Sequence, residues 1–330
     1  WAVAKNVPSN TTLANSFKAV TYTGNQSTNS ITGVGFKPDL IWLKERSGTD
    51  RHVLIDSLRG EDSQISSDSN AAETTYASNF DSFDTDGFTL GDATETNGNG
   101  ETYVGWCWKA GNTWQSNLDG TIASTVNVNT ANGFSVVHWY GTQAAGATVG
   151  HGLGAVPEMI IVKRLDYAED WVVYHSSLGN TKTLNLNTTD AEVTDAAFNN
   201  TTPTSSVFTL SNCASGSCIN SNSGNYIAYC WTPKSGYSKF GSYSGNNTGQ
   251  TITTGFQPDF LMLKKTNTSS EWWIMDSVRG TTNNLEANTT DAENTGISGA
   301  PTFVSTGFNF SGSTFNETGT DWIYMAFKMN

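Results

Sequence analysis

An all-β fold, built as three tandem antiparallel β-sandwich modules of a jelly-roll-like kind, is predicted by three observations. The segment Gly35-Phe36-Lys37-Pro38-Asp39-Leu40-Ile41-Trp42-Leu43-Lys44 returns as Gly255-Phe256-Gln257-Pro258-Asp259-Phe260-Leu261-Met262-Leu263-Lys264. It returns more loosely as Gly154-Ala155-Val156-Pro157-Glu158-Met159-Ile160-Ile161-Val162-Lys163. Self-similarity at a fixed period is the signature of a repeat architecture. The apolar segments are short, rich in aromatic and β-branched residues, and punctuated by Gly, Asn, Asp and Ser, which is strand chemistry. No stretch keeps a 3.6-residue apolar period over three turns, so long helices are not expected.

Each copy opens on an aromatic strand that ends in Gly: Phe17 to Gly24, Phe134 to Gly141 and Ser238 to Gly245. The Pro-Asp/Glu segment quoted above follows. Proline cannot donate to a ladder, so it should open the strand. The nearly continuous apolar run behind it fits a strand buried on both faces. A further strand follows a charged turn, at Val53 to Gly60, Trp171 to Gly179 and Trp272 to Gly280. The polar Asn-Xaa-Xaa-Asp-Ala-Glu segments Asn187 to Glu192 and Asn288 to Glu293 come next, with Asn70 to Glu73 as the related stretch of the first copy. Short strands are then marked by Gly87-Phe88-Thr89-Leu90, Val207-Phe208-Thr209-Leu210 and Gly307-Phe308-Asn309-Phe310. The closing strands are Tyr103 to Trp108, Tyr226 to Trp231 and Trp322 to Phe327. Roughly 100 residues per copy suits a sandwich; a propeller blade, at roughly 40–50, is shorter. The modules are placed at 7–118, 119–235 and 236–330, with boundaries near 111–130 and 234–236. Residues 1–6 read as the closing strand of a preceding module, because Trp1-Ala2-Val3-Ala4-Lys5-Asn6 parallels Met325 to Asn330.

The 330 residues carry a formal charge of −13 with 17 Lys and Arg. Phosphate neutralisation needs clustered cations, so nucleic acid is a poor partner. No apolar run approaches the ~20 residues of a membrane span. The 11 Trp, 11 Tyr and 16 Phe argue against disorder and can build a core for each repeat. Cys107 and Cys230 occupy one position of the repeat, where the third copy has Ala326 or Met325; that is the behaviour of a small buried residue. Cys213 and Cys218 flank a flexible Ala-Ser-Gly-Ser turn that could close a local disulfide, although spacing alone cannot supply the geometry.

The order Gly-Phe-Xaa-Pro-Asp, Asp-Ser-Xaa-Arg-Gly, Asp-Gly-Phe-Thr-Leu, Asn-Gly-Asn-Gly and Tyr-Val-Gly-Trp-Cys-Trp-Lys-Ala-Gly closely resembles a family of repetitive proteins common in tailed phages of marine bacteria. The stretches Val149 to Gly154 and Gly236 to Tyr243 resemble the same family, so the likeness spans essentially the whole chain. It implies a virion component: tail fibre, appendage or capsid decoration subunit. Such a protein resides in the virion, packs against other virion proteins, forms homo-oligomers and displays loops to the host. The resemblance carries no catalytic residue and no cofactor across.

Candidate chemistry is sparse. Asp56 with Arg59, and Asp276 with Arg279, are a carboxylate and a guanidinium three apart; they suit either a ligand contact or a structural ion pair. The second repeat has His175 and Leu178 there. Asp81, Asp84 and Asp86 alternate before Gly87, a weak calcium-loop pattern without the distal Glu; a polar turn also explains them. Trp42, Trp114, Trp139, Trp171 and Trp272 are sugar-stacking platforms if they face water, and core or interface anchors if they do not. The four histidines show no zinc spacing, and no nucleophile elbow or phosphate cradle is present. The expectation is therefore a non-enzymatic structural protein. A carbohydrate-binding, lectin-like receptor-binding protein is the alternative, and a polysaccharide depolymerase a third class. Three modules in one chain could also stand in for a homotrimer.

Overall fold

The computed structural model describes residues 15–111, 113–214 and 216–329. The expected remnant at 1–6 and the first residues of the first module lie outside these. The fold is all-β. Among the described residues the α-helix is confined to Thr94–Asn97, and no helix is long and apolar enough to cross a membrane.

Antiparallel sheets with one recurring strand order dominate. In the first stretch the order is Phe17–Thr23, Thr102–Trp108, Leu40–Glu45 and Val53–Asp56. In the last it is Ser238–Ser244, Asp321–Phe327, Phe260–Lys265, Trp272–Asp276 and Leu285–Glu286. The middle stretch places Phe134–Tyr140, Asn225–Trp231, Met159–Arg164 and Val172–His175 in the same order. Each opening strand thus pairs with the closing strand of its own repeat, which in turn pairs with the strand that follows the proline. Pro38, Pro157 and Pro258 stand two residues ahead of those strands, where a missing N–H costs no ladder bond. The Asn- and Ser-rich segment 111–130, read as a boundary, instead carries two more strands. Gln115–Asn117 and Ser124–Asn129 pair with each other, and the second extends the middle sheet beside Phe134–Tyr140.

A smaller sheet accompanies each large one: Asn29–Thr32, Gly87–Leu90 and Ser82–Asp84; Ala147–Gly150 with Val207–Leu210; and Gln250–Thr253, Gly307–Phe310 and Thr302–Val304. Strand side chains alternate between faces. Ile41, Leu43, Ile55 and Cys107 therefore pack with Phe88 and Leu90 of the small sheet. Their neighbours Leu40, Trp42, Leu54, Trp106 and Trp108 point the other way. The middle repeat divides likewise: Trp139, Ile160, Val162 and Cys230 meet Phe208 and Leu210, while Val136, Ile161, Tyr229 and Trp231 face away. In the last repeat Leu261, Leu263 and Ala326 meet Phe308 and Phe310, whereas Phe260, Met262, Met325 and Phe327 face away.

All the outward-turned sets join one large cluster. Trp108 shows how it is shared. Its ring centroid lies 4.9 Å from Phe17, 6.2 Å from Trp231, 5.8 Å from Phe260 and 6.0 Å from Phe327. Each small sheet thus shares a cluster with its large sheet, and one further cluster joins the opposite faces of the large sheets. The double-sided burial explains the continuous apolar runs. Each large side chain removed from water contributes about 1.5–3 kcal/mol of transfer energy.

Candidate functional site

The polar side chains of the recurrent strands converge on the seams where one repeat meets the next. Three contacts recur at all three seams, in one rotational sense. The first uses the lysine next to last in the proline strand. Lys44 donates from Nζ to Thr290 O at 3.1 Å, Lys163 to Asn70 O at 3.1 Å, and Lys264 to Thr189 O at 2.9 Å. Each amine also donates within its own repeat: Lys44 to Glu45 O, Lys163 to Arg164 O and Glu169 O, Lys264 to Ser270 O. Burial pushes all three amines down to about 8, with nearby carboxylates opposing the shift.

The second contact uses the residue at the entrance to the next strand, four before Asp56, His175 and Asp276. His52 donates from Nε2 to Glu286 O at 2.9 Å, Trp171 from Nε1 to Ser66 O at 2.9 Å, and Trp272 from Nε1 to Asn185 O at 2.9 Å. The third runs between backbones. Glu73 N donates to Leu165 O at 2.8 Å, Glu192 N to Thr266 O at 2.7 Å, and Glu293 N to Arg46 O at 2.9 Å. Together these join the first repeat to the third, the second to the first and the third to the second. A linear string of repeats would leave one of these seams unmade.

The predicted Asp–Arg pairs lie at the same seams. Arg59 Nε donates to Asp56 Oδ2 at 2.6 Å, with both side chains buried, and Arg279 Nε does the same to Asp276 at 2.6 Å. Each guanidinium reaches a second carboxylate, Glu73 at 3.1 Å and Glu293 at 2.8 Å. Across the seam, Tyr229 Oη donates to Asp56 Oδ2 at 2.8 Å, and Trp106 Nε1 donates to Asp276 Oδ2 at 3.0 Å. The carboxylates are consumed by these partners, which is the ion-pair reading of the motif. In the second repeat His175 takes the aspartate position. The third repeat offers Met325, a side chain with no proton to give, where the others offer Tyr229 or Trp106. His175 accordingly donates from Nε2 to Tyr324 O at 3.2 Å and accepts from Ser177 N at Nδ1 at 3.1 Å. Burial pushes His175 down to about 4 and His52 well below the usual histidine range. Both rings have one nitrogen accepting and one donating, as a neutral imidazole requires; His52 accepts Trp42 Nε1–H at 2.8 Å.

The tryptophans proposed as sugar platforms are mostly beneath the surface. Trp42, Trp171 and Trp272 belong to the shared core and Trp139 to the middle repeat's own core, all buried. Their strand positions point them inward, so they are anchors between sheets and repeats. Trp114 differs: it is half-buried at the edge of the shared core.

Asp81, Asp84 and Asp86 are not brought together as a metal site. Asp84 accepts the Ser82 and Thr89 hydroxyls at 2.8 and 2.7 Å. Asp86 accepts Gly33 N and Gly35 N at 3.1 and 2.6 Å. These glycines sit at φ of 86° and 83°, a conformation that a β-carbon would strain, and Asp86 pins the loop they make. The acidic group that does assemble among the described residues is Glu45, Asp50 and Glu101. There Glu45 already accepts the Ser47 hydroxyl at 3.0 Å and Asp50 N at 3.1 Å. Cys213 and Cys218 form a disulfide, and Cys107 and Cys230 are buried thiols.

Sequence reasoning missed the lysines and the His52, Trp171, Trp272 set. The recurring Lys44, Lys163 and Lys264 were visible as a buried-strand position occupied by a charge. The second set was hidden by the alignment of the repeats: strand pairing matches His52, not Val53, to Trp171 and Trp272.

Residues 13–330 match the model of the family described as DUF7483, a domain of unknown function, and the chain belongs to that family. No curated protein and no solved structure matches the chain.

Proposed function

We propose that this chain is a non-enzymatic structural protein of a phage particle, a tail-fibre, appendage or decoration subunit. In this reading it is made of three tandem jelly-roll-like β-sandwich modules that close on one another as a covalent stand-in for a homotrimer. The observation that carries it is the set of seam contacts repeated around the molecule. The polar groups that recur in register, the lysines and the His52, Trp171 and Trp272 N–H donors, are spent on joining repeats, as are Asp56 and Asp276, which accept Tyr229 and Trp106 across a seam. A rigid block of this kind suits a load-bearing place in an assembly, where it packs against other virion proteins and identical copies and turns its polar loops outward. The likeness of its repeat motifs to those of tailed-phage proteins supplies the setting.

The experiment is to purify particles from a lysate of the host that carries the gene and to locate the chain by peptide mass spectrometry and electron microscopy. A fixed copy number per particle, in density of matching three-lobed shape, is expected. Particles that lack the chain while the free protein accumulates in the lysate would sink the reading.

A further inference from the structure

We infer that a pocket at the junction of the first and second repeats binds a saccharide through a single neutral hexose ring. The inference is independent of the particle reading. The cavity, about 290 Å³, is lined by Lys37, Glu61, Phe83, Gly111, Trp114 and Asn127, with Asp39 and Ser57 at its base. Ligand cavities run from roughly 300 to 1,000 Å³, so this one suits one ring rather than a large molecule.

Three features make it a built site. Trp114 is half-buried: it packs against the shared core yet still lines the cavity. Among the described tryptophans only Trp273 is similarly uncovered. A core-backed indole with a free face is a preorganised stacking surface. Asn127 is almost fully buried, at 2% exposure, and its Oδ1 has no hydrogen-bond partner. Its orientation is fixed, because Nδ2 donates to Asp39 Oδ1 at 2.7 Å and a carboxylate can only accept. The Asp39 carboxylate is itself held by the Ser57 hydroxyl at 2.8 Å and by Ala110 N at 2.8 Å. The lone oxygen of Asn127 therefore asks for a donor from a ligand, since an unmet buried acceptor is costly. Gly111 stands beside that oxygen, and a β-carbon there would come within 2.7 Å of it.

The repeat sharpens the case. Asp259 reproduces the Asp39 scaffold, accepting the Ser277 hydroxyl at 2.8 Å and Met329 N at 2.8 Å. Trp114 and Asn127 both come from the segment between the first two repeats, which is longer than the junction between the second and third. The first and third repeats share the scaffold, and the long segment after the first adds Trp114 and Asn127 to it. Their chemistry selects the ligand. A flat apolar face wants C–H groups, Asn127 wants a hydroxyl proton, and Lys37 and Glu61 at the exposed rim offer a donor and an acceptor. A purely apolar ligand would strand these polar groups. An anion would meet Glu61 and Asp39 in a chain of net charge −13. A pyranose has both an apolar face and a hydroxyl fringe.

The test is saturation-transfer NMR on the whole chain with glucose, galactose, mannose and N-acetylglucosamine. One or more should bind with Kd near 1 mM, and Trp114→Ala should weaken that binding by about tenfold, the loss of one stacking contact. Should Trp114→Ala fail to fold, Trp114→Phe identifies the Trp114 indole N–H signal by its disappearance, and that signal in the native protein should shift on titration. No transfer from any sugar at about 20 mM, well above a millimolar Kd, would overturn the inference. So would binding that Trp114→Ala leaves unchanged, or an indole signal that stays still. Failure here leaves the location of the chain in particles untouched, and the reverse also holds.

Discussion

The seam between the third and first repeats and the seam between the second and third are made on the same backbone plan and filled in opposite ways. At the first, Asp276 and Arg279 are both fully buried, Arg279 reaches Glu293, and Arg46 grips Glu293 from the other side at 2.7 Å. At the second, His175 and Leu178 stand in place of Asp276 and Arg279, Thr266 stands in place of Arg46, and Lys182 pairs with Glu192 near the surface. A groove of about 450 Å³ opens there, lined by Leu178, Lys182, Glu192, Thr266 and Asp321. The lysine, the N–H donor and the backbone bond are kept at both. What specifies the joint is thus side chain to carbonyl, whereas charge pairing between side chains is optional and decides how tightly the joint is filled.

Removing a charge from the filled seam should have the largest effect. Asp276→Ala leaves the buried Arg279 with Glu293 alone and takes the acceptor from Trp106 Nε1, and should cost about 3 kcal/mol; urea midpoints measure it. Asp276→Ala that melts like the native chain would mean the seam is solvated. The open seam can be pushed toward the filled one. His175→Asp alone places a buried carboxylate opposite Met325 and should destabilise by about 3 kcal/mol; adding Leu178→Arg should restore most of that in a double-mutant cycle. If the two changes are merely additive, the seams are not equivalent.

Acid should act next. His175 titrates at about 4 in the fold against ~6.5 when unfolded. The unfolded chain therefore binds more protons in that window, and stability is lost as pH falls from 6.5 toward 4. The loss from His175 is about 3 kcal/mol by linkage, and His52, shifted the same way, adds to it. Denaturation curves from pH 7 to 4.5 should show the slope, and His175→Gln should flatten it. The smallest effect belongs to Lys182→Met. That lysine is 41% exposed, and surface pairs contribute about 0–1 kcal/mol, so the midpoint should barely move.

Much of this was legible in the residues. The strands, their order and the double-faced burial of Leu40 to Lys44 follow from apolar runs and turn residues. The Asp–Arg spacing left a ligand contact and an ion pair open, and the structure has the ion pair; Cys213 and Cys218 could be seen as a possible local disulfide, which the structure contains. What could not be read was the partner of each outward face. Trp171 and Trp42 look alike on paper, yet one donates across a seam and the other to His52 of its own repeat. That choice is set by how sheets from distant parts of the chain meet. The strands at Gln115–Asn117 and Ser124–Asn129 were obscured because they are held by pairing, the second with Phe134–Tyr140 and the first with the second, rather than by their own Asn- and Ser-rich composition.

Because the three repeats lie on one chain, the contacts between them do not depend on dilution, as they would for separate subunits. It also releases them from identity: a change in one lobe is not copied into the other two. A single corner, such as the one that carries Trp114, can therefore differ while the contacts at the other seams are kept.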